Sequence, residues 1–523
     1  MTHNVGQMLV NAGRRHGPRP AWKAPNGERT YREMVTQGAR LANVLRDAGL
    51  EPGDRVGMML DDVAEAAEIF AGIVFAGLIV VPVNRSFTAY ELDHILGDSD
   101  AGALLYTAGS EPAVAQSKVR DVLRLCLAVD GGAELPPNVL SYAEATASAD
   151  VEVAPQTRAA EDAVILAYTS GTSGFPKGAI ISHGSVMTCV RTAQACQRVS
   201  NFGRMAHTGS LQFSAPWWAL LLPHLYAGGF VRLLGTYTTE SWFDAMEQDR
   251  TTLTYVPSPL IPAFIELGRR RPEVIERLEV VLHSASVAPR EQIAELVELV
   301  GDRFCEGWGM TETVGTLTTT TRNDFRGGSE ADDVYASAGR AGPTALITLV
   351  DDQGEEIPWG SDRVGELVVE VDTLFSGYWN QPELTSQVLD GRRFRTGDLG
   401  RIDSAGYVYI TGRKSDLIIS GGANVYPAEL ERVLAGMPGV AQCAIFGIPH
   451  ERWGESVAAA VVTEVGASLT EREVIDFMRS RLASYKKPTL VVFMDALPRN
   501  ASMKVQKHRL REHVLAAADG VPG

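Results

Sequence analysis

Between positions 69 and 83 the chain reads IFAGIVFAGLIVVPV, fifteen residues without a charge. So apolar a run has to leave water, yet it is shorter than the roughly 20 residues that cross a bilayer as a helix. Its glycines and its Val-Pro-Val ending predict a buried helix running into a strand. The same alternation continues on both sides. YREMVTQGARLANVLRDAGL carries apolar groups at helical spacing and stops at Gly49, DRVGMML reads as a strand, and EAAEIFAGIVFAGL as a packed helix. YELDHILGDSDAGALLYT then repeats helix, turn and strand. Alternation of this kind predicts a doubly wound α/β body with largely parallel sheets.

The character changes further on. Over 345–372, ALITLVDDQGEEIPWG and VGELVVEVDT read as strands joined by turns, a small β-subdomain. After about Gly412, short strands and helices (GVAQCAIFGIP, SVAAAVVTE, EREVIDFMRSRL, LVVFMDALP) describe a compact α+β domain. The expected division is a large domain over 1–413 and a small C-terminal domain over 414–523. A net charge of −16 argues against general binding to nucleic acid or to an anionic membrane. The five cysteines are scattered without C-x-x-C, the pattern of free thiols in a reducing compartment. The N-terminal segment MTHNVGQMLVNAGRRHGPRP lacks the apolar core of a signal peptide, so the expected location is cytoplasmic, with no membrane span.

Against that background one loop stands out: AYTSGTSGFPKGAIISHGS, 167–185. It leaves the apolar strand AVILAY, and helix signals resume near His183. Thr169, Ser170, Thr172 and Ser173 offer hydroxyls beside backbone N–H groups, which suits phosphate oxygens. Gly171 and Gly174 permit close backbone approach. Pro176 stiffens the stretch, and Lys177 adds a point charge. Only eight of the 48 basic residues are lysines, so one inside such a loop carries weight. The spacing is not that of a Walker A loop. A flexible linker has similar composition, but not the preceding strand or the Pro-Lys-Gly ending. The loop is read as an anion grip.

YTSGTSGFPKG resembles the signature loop of the adenylate-forming enzymes: acyl-CoA synthetases, luciferases and peptide-synthetase adenylation domains. The resemblance extends over nearly the whole chain. It implies ATP as the anion, with this loop on the β- and γ-phosphates. EGWGMTETVG (306–315) is similar to the family's aromatic-Gly-x-Thr-Glu segment. The resemblance assigns Trp308 to the adenine face, Thr311 to the α-phosphate and Glu312 to Mg²⁺, a hard cation that takes oxygen ligands. In RFRTGDLGRIDSAGYVYITGRKSDLIISGGANVYPAELE (393–431), Asp398 falls where the family binds both ribose hydroxyls, a task a carboxylate performs well. Arg413 resembles a second nucleotide contact. Ser415 holds the hinge position, where Asp or Lys is usual, and Gly421 and Gly422 leave room for a pantetheine arm. In LPRNASMKVQKHRLRE, Lys504 matches the family's catalytic lysine, with Met503 where glycine is usual.

The stations for the acid depart further from the family. HSASVAP places Ser284, Ala285 and Ser286 where many relatives have Gly-Gly-Ala. GSLQFSAPWWALLLPHLYAGG brings Ser214 and Ala215 to one wall of the substrate pocket, with Trp217 either an aromatic wall or simply core. His207 and His224 lack metal-ligand spacing and read as structural or exposed. No catalytic Ser-His-Asp or Cys-His arrangement is evident in the linear sequence.

These assignments imply an ATP- and Mg²⁺-dependent ligase that converts a small carboxylic acid to acyl-AMP and passes the acyl group to coenzyme A. A carrier-protein phosphopantetheine is the alternative acceptor. A catalytically silent nucleotide-binding relative is the alternative of another class.

Overall fold

The computed structural model describes residues 4–130, 135–152, 155–169, 176–286, 288–326, 331, 333–420, 423–483, 486–499 and 505–518. Two compact units emerge: Met1–Leu346 with Glu370–Phe394, and Ile347–Val369 with Arg395–Gly523. Residues 395–413 thus fall in the second unit, ahead of the division expected at 413/414.

The first unit is built on two large sheets. One has seven strands, in the order Leu140–Ser141, Leu125–Ala128, Ala101–Tyr106, Arg55–Met59, Ile79–Pro82, Ala163–Thr169 and Lys177–Ser182. All neighbours are parallel except the last pair. The apolar run behaves as expected: Ala66–Phe75 is a helix buried at every position, and Ile79–Pro82 is a buried strand. That helix packs on Tyr31–Asp47, and the contact needs small residues. A Cβ on Gly72 would lie 2.8 Å from the Leu41 side chain and 2.9 Å from the Gly38 carbonyl. Such a distance is shorter than van der Waals contact allows.

The other sheet has nine strands. Its centre runs Phe304–Met310, Val280–Ser284, Leu253–Tyr255, Arg204–His207, Phe230–Leu233, Pro20–Ala24, all parallel, with antiparallel strands at both edges. Ligand crevices of parallel sheets lie at the carboxyl ends of the strands, so the segments following these strands are where chemistry is expected.

Trp217 resolves to core. It is 0% exposed, lies face to face with Phe70 (centroids 4.4 Å apart, 9° between planes) and stacks on Trp22 at 6.0 Å. It opens a π-helical turn, Trp217–Leu221, that runs directly into the helix Leu222–Ala227. Trp217→Ala is expected to lower stability by about 3–5 kcal/mol, the usual cost of emptying a large aromatic site; urea unfolding of the two proteins reads this directly.

The second unit carries the antiparallel pair Arg393–Ile402 and Val408–Arg413, and a separate five-stranded sheet. The latter orders Ala423–Val425, Ile418–Ser420, Gly454–Thr463 and Val440–His450, with Leu490–Phe493 parallel to Gly454–Thr463. Helices Pro427–Ala435, Glu471–Arg479 and Lys507–Ala518 belong to the same unit, as the strand and helix signals after Gly412 predicted. Among the described residues no helix is long and apolar enough to cross a membrane.

Candidate active site

The loop that the sequence singled out closes a β-hairpin. Ala163–Thr169 pairs antiparallel with Lys177–Ser182, and Thr169 sits opposite Lys177. The second strand was not foreseen, since the sequence suggested a loop leading to the helix. Ser182 instead ends the strand and caps the helix His183–Cys196, its Oγ accepting from the Ser185 N–H at 3.1 Å. Ser170, Gly171, Thr172, Ser173 and Gly174 lie outside the described residues. Lys177 begins a strand, so its backbone is held by the ladder while its ammonium group lies 5.7 Å from the Tyr378 ring centroid, within cation–π range.

The second cluster arrives from the nine-stranded sheet. Trp308 is in Phe304–Met310, half-buried, its N–H donating to Thr318 Oγ1 at 3.1 Å. The strand ends in the 3₁₀ turn Thr311–Thr313, tightened by the Met310 N–H on Thr313 Oγ1 at 3.2 Å. Glu312 is the middle residue of this turn. Tyr378 O–H donates to Glu312 Oε1 at 2.8 Å, and the Phe375 N–H donates to the Glu312 carbonyl at 2.8 Å. Tyr378 therefore lies between the lysine of one sheet and the carboxylate of the other. Sequence reasoning passed over it; the Gly-Tyr-Trp-Asn run that follows the apolar strand Gly365–Val371 was the available signal.

The segment 373–380 is stitched to both clusters. Thr373 Oγ1 donates to the Thr313 carbonyl (2.6 Å), the Ser376 N–H to Ile180 (2.9 Å) and the Trp379 N–H to Gly178 (2.7 Å). The Ile180 N–H answers to Gly377 at 2.9 Å.

In the second unit, Asp398 stands directly across the strand pair from Arg413 and accepts from its Nε at 2.5 Å. Asp398 is 4% exposed, whereas the guanidinium is partly open. Gly397, at φ 70°, takes a left-handed conformation that glycine adopts without strain. Thr396 Oγ1 then accepts from the Asp398 N–H at 3.0 Å. Ser415 lies in the 3₁₀ turn Lys414–Asp416, exposed, its hydroxyl 3.3 Å from Asp416 Oδ1. Gly421, Gly422 and Lys504 lie outside the described residues.

The stations expected for the acid divide. Ser214 and Ala215 lead into the Trp217 turn, with the Trp217 N–H on the Ser214 carbonyl at 3.1 Å. Ser284 ends Val280–Ser284, its carbonyl accepting from Tyr255 O–H at 2.8 Å. Ala285 is exposed at φ 69°, a strained value for a residue with a Cβ, and Ser286 is exposed beside it. At this turn begins a polar chain, buried only at His283, that the sequence did not reveal. Ser258 Oγ lies 2.6 Å from Ser286 Oγ and 2.8 Å from His283 Nε2, and His283 Nδ1 lies 2.6 Å from Glu306 Oε2. Burial raises the Glu306 carboxyl above its usual range, partly offset by His283. His207 and His224 are both buried, and burial takes each down to about 4.

The first unit thus presents an ammonium, a turn carboxylate and a stackable indole at or near strand ends of two α/β sheets. That is the layout of an enzyme that handles a phosphorylated nucleotide. The chain belongs to the AMP-binding enzyme family, in the acyl-CoA synthetase branch of the adenylate-forming superfamily. The family's AMP-binding enzyme profile matches residues 9–379, and its C-terminal-domain profile matches 429–504. A feruloyl-CoA synthase of Amycolatopsis is 33% identical over 484 residues, spanning 92% of this chain and 93% of the relative. A fatty acid–[acyl-carrier-protein] ligase, ScoC, of Streptomyces coeruleorubidus is 30% identical, spanning 92% and 91%. The crystal structure of ATP-bound MatB from Rhodopseudomonas palustris superposes with a TM-score of 0.87 at 30% identity, covering 98% and 99% of the two chains.

Proposed function

We propose that this chain is an AMP-forming acid–thiol ligase. A carboxylate attacks the α-phosphorus of ATP in line, pyrophosphate leaves, and acyl-AMP forms; a thiol then attacks the acyl carbonyl and expels AMP. A carboxylate is a poor acyl donor because its leaving group would be oxide, and the mixed anhydride removes that obstacle. In-line phosphoryl chemistry asks the protein mainly for alignment and charge neutralisation.

The observation that carries the reading is the convergence of Lys177 and Glu312 on Tyr378. Lys177, with the hydroxyls of Thr169, Ser170, Thr172 and Ser173 and the close backbone at Gly171 and Gly174, would hold the β- and γ-phosphates. Thr311 would take the α-phosphate and Trp308 the adenine face. Asp398 would accept the two ribose hydroxyls, beside Arg413. Glu312 fits a magnesium ion: it is a carboxylate in the turn Thr311–Thr313, with one oxygen held by Tyr378 O–H and the chemistry of a hard oxygen ligand. Mg²⁺ is commonly bound by one or two carboxylates plus substrate phosphates and water. When bound with ATP, the ion would offset phosphate charge. Lys504 would bridge the acid's carboxylate and the α-phosphate as charge shifts between them. Rotation of 414–523 about Ser415 would then withdraw Lys504 and bring Gly421 and Gly422 to the pantetheine arm.

Coenzyme A is the acceptor in this reading. The similarity to ScoC favours a second one, in which the thiol belongs to a carrier protein. One assay decides both: a carboxylate panel with ATP and Mg²⁺, scored for pyrophosphate and for thioester mass with coenzyme A or with a phosphopantetheinylated carrier. Acid-dependent pyrophosphate and an acyl-CoA product are expected. Product on the carrier alone would select the second reading. ATP binding without acid-dependent pyrophosphate would refute the ligase.

A further inference from the structure

The polar chain behind Ala285 has the bonding order of a hydrolytic triad: a hydroxyl on an imidazole Nε2, and a carboxylate on its Nδ1 (2.8 and 2.6 Å). The three residues are 25 and 23 positions apart in sequence. The fold joins them because Leu253–Tyr255, Val280–Ser284 and Phe304–Met310 are successive parallel strands, with His283 in register with Glu306. Ser258 thus follows the end of the first strand and His283 stands one residue from the end of the second, while Glu306 lies in the first half of the third.

Each member has the surroundings its role requires. Ser258 opens the 3₁₀ turn Ser258–Leu260 between the strand Leu253–Tyr255 and the helix Ile261–Arg270. Pro257 and Pro259 flank it and restrict the backbone there, and its side chain is only half-buried. His283 is 1% exposed and held at both ring nitrogens, so its orientation is set before any ligand arrives. Glu306 is largely buried beside it. Nothing in the ligase chemistry above uses Ser258 or His283.

We propose that Ser258, His283 and Glu306 form a second catalytic centre that hydrolyses activated acyl groups, namely esters and thioesters of small carboxylic acids. As Ser258 Oγ bonds to the acyl carbon, its proton passes to His283 Nε2. The bond from that carbon to the alcohol or thiol oxygen or sulfur then breaks, and the leaving group takes the proton. Water attacks the acyl-serine, gives a proton to Nε2 and releases the acid; the proton returns to Ser258. The balance is one ester or thioester and one water in, one acid and one alcohol or thiol out. The Glu306 carboxylate orients the ring and offsets the imidazolium charge. Ser286 Oγ, 2.6 Å from Ser258 Oγ, would offer a hydroxyl to the acyl oxygen.

The test uses the full chain without ATP, Mg²⁺ or coenzyme A, so its outcome is independent of the ligase reading. A fluorophosphonate probe should label Ser258, identified by peptide mass, and 4-nitrophenyl acetate should be hydrolysed. Ser258→Ala should abolish the label and lower hydrolysis by about 100-fold. His283→Gln should do likewise, and Glu306→Gln should lower both without abolishing them. A heat-unfolding midpoint for Ser258→Ala within about 2 °C of the parent separates chemistry from folding. Ser258 unlabelled, or Ser258→Ala hydrolysing the ester at the parent rate, would overturn the proposal.

Discussion

Lys504→Ala is expected to slow acyl-AMP formation by about 1,000-fold while thioester formation from supplied acyl-AMP falls by less than about tenfold. The asymmetry follows from where charge moves. In the first half-reaction a carboxylate approaches a phosphate, two anions meet, and an ammonium between them stabilises the transition state more than the ground state. In the second, a thiol attacks a neutral anhydride carbonyl and the same lysine has no comparable charge to hold. Pyrophosphate release measures the first step and thioester formation from synthetic acyl-AMP the second. Equal losses in both would remove Lys504 from the proposed role.

Glu312→Ala is expected to raise the Mg²⁺ concentration needed for half-maximal activity and to lower kcat/KM by about 100-fold, since it deletes the only carboxylate assigned to the ion. Tyr378 gives this prediction a graded companion. Tyr378→Phe removes the 2.8 Å bond to Glu312 but keeps the ring beside Lys177. A hydrogen bond to a charged group contributes about 1.5–3 kcal/mol, so a loss of about tenfold is expected, mostly in the Mg²⁺ titration. Tyr378→Leu removes the ring as well and should additionally raise the KM for ATP. If Tyr378→Phe and the parent titrate identically with Mg²⁺, the phenol does not position the carboxylate.

The doubly wound body was legible because buried elements leave uninterrupted apolar runs, and 69–83 joins two of them, the end of the helix Ala66–Phe75 and the parallel strand Ile79–Pro82. The small C-terminal sheet was legible from the short apolar runs of its strands, most of which pair antiparallel. The strand Lys177–Ser182 was not, because its partner is an antiparallel neighbour across a Gly- and Ser-rich loop that reads as unstructured. Trp217 was ambiguous in the sequence: tryptophan beside tryptophan suits a pocket wall or a core, and only the Phe70 ring on its face decides. Tyr378 and the Ser258–His283–Glu306 chain were beyond linear reading for a different reason. Their partners are far away in sequence: sheet register joins His283 to Glu306, while Tyr378 reaches the Glu312 turn from the segment 373–380. Asp398 and Arg413 are fifteen positions apart, but a hairpin with the glycine-assisted bulge near 397–400 makes them direct neighbours.

The short strap 373–380 clips a hairpin of one sheet to a turn of the other, through main-chain bonds at Gly178, Ile180 and Glu312 and through the Thr373 hydroxyl on the Thr313 carbonyl. The span between cation and acid is therefore gauged largely by peptide groups, with the Thr373 and Tyr378 hydroxyls as the side-chain contributions. If residues around 214 and 285 line the acid's pocket, as the sequence suggests, exchanging them would alter the acid accepted while leaving these main-chain bonds in place.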